Sequence, residues 1–198
     1  MTETGIYPRA RLDALTDGIY AVAMTLLVLD IRLPEEARDL SNAELFSALV
    51  HLWPKLLPYI ISFLVLGFHW MSTVKTRTRA EHVGRHHAMW MLFGLLLVTF
   101  LPFTATVLGR FPGRATAVCL YSANIALLAF ISLWTIVVRS EFERDWRAHE
   151  RIVASVVLLT SALLAAAASF LAARYATWLY LLNLIPPFLR SLRKTVGE

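Results

Sequence analysis

Six apolar stretches, each close to the length that crosses a bilayer, dominate this chain and leave it little choice of solvent. They fall at about residues 12–31, 56–74, 88–108, 115–138, 152–172 and 176–189, and a membrane helix needs roughly 20 mostly apolar residues. The sixth, "ATWLYLLNLIPPFL", is short and contains Pro186-Pro187, so five spans is the alternative reading. Composition agrees: 58% of residues are hydrophobic and 17% charged, with a mean hydropathy of +0.60. Water-soluble domains hold about 45–50% apolar and about 25% charged residues. The expected fold is all-α: an integral membrane protein with one transmembrane domain over residues 1–198. The N-terminal "MTETGIYPRARLD" lacks the charged n-region and cleavage site of a signal peptide, so the first apolar segment is expected to stay. A single cysteine, Cys119, gives neither a disulfide framework nor a CxxC metal signal.

A net charge of +5 raises the question of nucleic acid, but the basic residues sit in the gaps between apolar runs, where they set topology. Placing the N-terminus in the cytoplasm puts Arg9, Arg11, Lys75, Arg77, Arg79, Arg85, Arg139, Arg144, Arg147, Arg151, Arg190, Arg193 and Lys194 on that side. That is thirteen of nineteen, the bias expected of cytoplasmic loops. Both termini are therefore expected inside and the bilayer is the expected partner, with no nucleic acid; the plasma membrane is the expected location. The first outer loop, "RLPEEARDLSNAELF", reads as acidic with a short interfacial helix.

The first span carries the most information. With Val22 set at 0° and about 100° per residue, Thr25 falls at about 300°, Leu26 at about 40° and Leu29 at about 340°. These four form a stripe about 100° wide, apolar but for one hydroxyl. Asp13 lies at about 180° and Asp17 at about 220°, on a different flank. Ionisable side chains inside a span face a protein interior or water. Asp17 is therefore read either as a bond that holds helix register or as part of a functional network. For Val22, Leu26 and Leu29 the alternatives are plain packing or the wall of a pore.

"RLDALTD" followed by "GIYAVAMTLLVLDI" closely resembles the first-helix signature of the lysosomal potassium channel family called transmembrane protein 175, in its bacterial branch. That signature is an Arg, three residues, then Phe-Ser-Asp: Arg11 matches the Arg, Thr16 the Ser and Asp17 the Asp, while Leu15 replaces the Phe. "LLLVTFLPFTATVLG" resembles the family's third helix. After the second-helix Trp, bacterial relatives often carry two His. Here Trp70 is followed by "MSTV", with Thr73 and Val74 at the His positions and His69 as a partial substitute. The resemblance implies six helices per subunit and a homotetramer whose four first helices line a central pore. It further implies Val22, Leu26 and Leu29 as the hydrophobic constriction and Thr25 as the selectivity candidate. Arg11, Thr16, Asp17, His69 and Trp70 are implied as a polar network. The implied function is a potassium-selective channel of modest selectivity over sodium, with no TVGYG filter in the chain. Proton conduction and a non-transporting scaffold are the alternatives.

An enzyme is not expected, since HExxH and GxSxG are both missing and buried ionisable groups are few. No cofactor or metal is expected either. His82, His86 and His87 read as a basic interfacial loop, and adjacent helical residues diverge by about 100°, a poor chelate. Asn124 and Asn183 read as bonds between helices.

Overall fold

The computed structural model describes residues 7–33, 40–75, 81–138 and 146–184. Helix α1 (Arg9–Leu26) starts directly after Pro8, whose fixed φ of −59° suits a helix entry. It tightens into a 3-10 turn at Leu27–Asp30. A short surface helix, α2 (Asn42–Val50), follows. Its start is a capping box: the Glu44 N–H donates to Ser41 Oγ, and the Glu44 carboxylate accepts from the Ser41 backbone N–H at 2.8 Å. The Ser41 hydroxyl also donates to it, and these bonds hold the Glu44 carboxyl below the usual carboxylate range.

The long helices α3 (Trp53–Lys75), α4 (Arg85–Arg110), α5 (Ala115–Val138) and α6 (Trp146–Ala176) build the rest. Among the described residues, five segments are long and apolar enough to cross a membrane: Arg9–Asp30, Lys55–Val74, Arg85–Arg110, Ala115–Ile136 and Arg151–Asn183. The chain is a multi-pass membrane protein. At one end, a two-residue strand β1 (Tyr7–Pro8) pairs antiparallel with β2 (His82–Val83), and Arg9 N–H donates to Glu81 O. This clip ties the start of α1 to the entry of α4, and it takes His82 out of the plain loop expected there.

Helix α5 is the wedge of the bundle, with Val118, Tyr121, Ile125 and Ala129 wholly buried. Against it α6 presents Ala162 and Ala165, also wholly buried, small enough for close helix approach. Ser155 donates to Ser132 across this seam at 3.0 Å. On the other side Asn124 reaches α4, donating from Nδ2 to Leu97 O at 3.3 Å, five residues before Pro102.

Helix α6 breaks at Ala172 (φ −151°, ψ 61°), and the chain then folds back as a 3-10 segment, Thr177–Leu184. The reversal follows from one bond: Asn183 Nδ2 donates to Ser161 Oγ at 2.9 Å, although residues that far apart in a straight helix would stand about 33 Å from each other. The returning segment seats Tyr180 in the core, bonded to Ser122 at 2.6 Å and edge-on to Tyr121. Of the expected sixth stretch, residues 185–189 lie outside the described residues.

The α4–α5 turn depends on Gly113, whose φ is +78°. A Cβ there meets nothing nearer than 3.9 Å, so the cost of a side chain is backbone strain rather than collision. Gly113→Ala is expected to destabilise the subunit by about 1 kcal/mol, read as a lower unfolding midpoint in detergent.

Candidate functional site on the first helix

Helix α1 has two opposite faces with opposite chemistry. The buried one carries Thr16, Tyr20, Ala23 and Leu27 against the bundle. The Asp17 carboxylate accepts from Trp70 Nε1–H of α3 at 2.8 Å. One turn on, the Tyr20 hydroxyl and His69 Nδ1 share a hydrogen bond of 2.5 Å, and the two rings lie nearly parallel, 13° apart. His69 Nε2 is buried and makes no hydrogen bond among the described residues. The Thr16 hydroxyl donates back to Leu12 O at 2.8 Å, so its proton is used within the helix.

Thr16, Tyr20 and His69 border a cavity of about 100 Å3 at the N-terminal end of α1. Arg9, Asp13, Tyr20, His69, Thr73 and Arg151 are among its lining. Arg9 stands 3.7 Å from Asp13. Of the expected network, Thr16 and His69 line this cavity, while Asp17 and Trp70, which are not in its lining, bond to each other. Arg11 is exposed on the other side of α1, and Arg9 takes the inward position. His87 also lines the cavity, while His86 accepts from Trp90 Nε1–H one turn away.

The opposite face has no partner among the described residues of the subunit. Leu15, Val22, Leu26 and Leu29 are exposed, Val22 by 57% and Leu29 by 55%, and Gly18 and Thr25 are exposed between them. Leu15, Gly18, Val22, Thr25 and Leu29 alternate by three and four residues, the spacing of a seam that meets another helix. Thr25 Oγ1 donates to Val22 O at 2.8 Å. Its only proton is thereby committed, and its oxygen lone pairs are left outward.

The family model for the endosomal/lysosomal potassium channel TMEM175 matches residues 11–102, the stretch that holds both faces of α1 and their partners on α3. The chain belongs to the TMEM175 family. Members are ion channels rather than enzymes. A potassium channel of Chamaesiphon minutus is 30% identical over 138 residues, covering 67% of this chain and 65% of its own length. A potassium channel of Streptomyces collinus is 33% identical over 140 residues, covering 68% of this chain and 64% of its own. The chain thus spans just under two thirds of these two TMEM175 relatives. The human endosomal/lysosomal proton channel TMEM175 is 27% identical over 210 residues, 96% of this chain and 42% of that protein. The crystal structure of a lysosomal potassium-selective channel TMEM175 homolog from Chamaesiphon minutus shares the fold, with a TM-score of 0.78 at 24% identity over 92% of this chain and 97% of that one.

The signature read in sequence omits Tyr20, which the structure places beside His69. Tyr20→Phe keeps the ring stack but removes the hydroxyl, leaving His69 Nδ1 without its partner. A loss of about 1–3 kcal/mol is expected for an unsatisfied buried group, measured as a lower unfolding midpoint with helical content unchanged.

Proposed function

We propose that four copies of this chain assemble in the plasma membrane around a central pore lined by α1, and that the pore conducts potassium in modest preference to sodium. In this reading each subunit crosses the membrane six times, as one domain over residues 1–198, with both termini in the cytoplasm. The observation that carries it is the outward stripe of α1, apolar but for Thr25, evenly spaced and unpartnered among the described residues. Lipid tails are as apolar as leucine, so packing rather than hydrophobicity must drive helices together in a bilayer. Gly18 in the stripe lets backbones approach, and the three-four alternation is that of interlocking helices.

Val22 forms the narrowest ring, with Leu26 and Leu29 extending the constriction. A ring of apolar side chains blocks ions by excluding water, because a cation cannot leave its hydration shell without replacement oxygens. Thr25 supplies four such oxygens between the rings, each with its proton turned to the Val22 carbonyl. Potassium gives up its water more readily than sodium, so a sparse ring of weak ligands favours it moderately. The bonds on the buried face, Asp17 to Trp70 and Tyr20 to His69, hold α1 against α3 so that the stripe points to the axis. The eukaryotic relatives carry the name of proton channels, which makes proton flux the second reading.

Purified protein in liposomes, tested with potassium, sodium and proton gradients in turn, decides between them. Potassium flux several-fold above sodium is the expected result. Equal sodium and potassium permeability removes the selectivity claim, and proton flux alone favours the second reading.

A further inference from the structure

At the far end of α1 the chain makes a contact that the pore reading does not use. The last residue of the 3-10 turn, Asp30, accepts at Oδ1 from Arg110 Nε at 3.2 Å and from Arg110 Nη2 at 2.8 Å. The two residues are 80 positions apart, and Asp30 keeps only 17% of its side chain exposed. Arg110 closes α4, and the residue before it, Gly109, is buried against the entry of α3: a Cβ there would lie 3.7 Å from Lys55 Cα. The guanidinium therefore projects from a seated helix end. On α1, in contrast, Leu29 next to Asp30 is exposed on the outward stripe. The carbonyl of Leu29 takes the Arg32 Nε–H at 2.9 Å, and Ile31 N–H returns to Val28 O, which closes the turn on itself.

We propose that the Asp30–Arg110 pair is a positioning contact that holds the end of α1 back against α4 and so keeps the Leu29 ring from closing across the pore. This rests on the α1-lined pore proposed above. Leu29 and Asp30 are consecutive in the 3-10 turn and point in directions about 120° apart, so a tether on one sets the radial position of the other. The α4 anchor stands on the bundle side of α1, away from the stripe, so the pull opposes closure of the apolar ring. An exposed pair of this kind has a small effect alone. Four copies act on one aperture, however, and a bias of about twofold per subunit compounds to roughly sixteenfold in a concerted opening.

The test is potassium flux in liposomes from size-selected tetramers of Asp30→Asn, Arg110→Gln, Arg110→Lys and the exchange Asp30→Arg/Arg110→Asp. Each of the first two is expected to lower flux about tenfold, with Arg110→Lys and the exchange restoring it to within about twofold of wild type. A contact with only a structural role would lower the unfolding midpoint and leave flux per tetramer unchanged, and that result overturns the proposal. So does an assembled exchange variant that stays at the level of the single losses. The near-isosteric Asp30→Asn carries the comparison if a charge reversal does not assemble. Wild-type protein without any flux would instead strike the pore itself.

Discussion

Val22→Ala is expected to raise potassium flux by about tenfold or more, because the same truncation is made four times around one constriction. A tenfold gain in rate needs a barrier lowered by only about 1.4 kcal/mol, or about 0.3 kcal/mol per subunit. Widening an apolar ring lets water persist in it, and the barrier from dewetting falls steeply with radius. Val22 is 57% exposed within the subunit, so the substitution removes little internal packing. Stability of the isolated subunit should stay within about 0.5 kcal/mol of wild type. That split separates a pore from a packing interface: flux rises while the fold holds. Thr25→Ala is the companion measurement, expected to leave flux in place and to bring sodium and potassium permeability together.

Trp70→Phe carries the second large effect, this time on the subunit. It removes the indole N–H that the Asp17 carboxylate accepts at 2.8 Å, at a site shielded by α1 and α3. Hydrogen bonds to charged groups contribute about 1.5–3 kcal/mol in water-soluble proteins, and interhelical bonds in membranes less. A loss of about 1–2 kcal/mol is expected, together with a smaller tetramer fraction as α1 loses its orientation. Asp17→Asn is the informative control: its side-chain carbonyl still accepts from Trp70, so it should fall between Trp70→Phe and wild type. Thermal unfolding in detergent with size-exclusion elution reads both quantities. Equal stability of all three would mean that the Asp17–Trp70 bond does not hold α1 to α3.

Much of the α1 site is legible in sequence because a helix converts spacing directly into direction. Val22, Thr25, Leu26 and Leu29 fall on one side by angle, and all four are exposed together. The same geometry holds the two residues missed there. On that wheel Tyr20 falls at about 160° and Arg9 at about 140°, both on the flank of Asp13. Arg11 falls at about 340°, with the outward stripe. The arginine of the signature drew attention to Arg11, yet the angles alone place Arg9 beside the cavity. Other features have no local trace. Asp30 and Arg110 lie 80 residues apart and meet only through helix packing. The reversal after α6 sits in an alanine-rich run without Gly or Pro. It is fixed by distant bonds, Tyr180 to Ser122 and Asn183 to Ser161, rather than by a turn sequence.

The most direct test of an α1-lined axis is oxidative cross-linking of Val22→Cys in membranes, in a Cys119→Ser background, with Leu163→Cys on the exposed face of α6 as the reference. Disulfides need Cα atoms within about 7 Å, a spacing that a four-chain constriction provides and a lipid-facing surface does not. Covalent dimers from Val22→Cys, with Leu163→Cys remaining monomeric, are the predicted result. Monomeric Val22→Cys, or equal cross-linking at both positions, would contradict a pore built on the first helix.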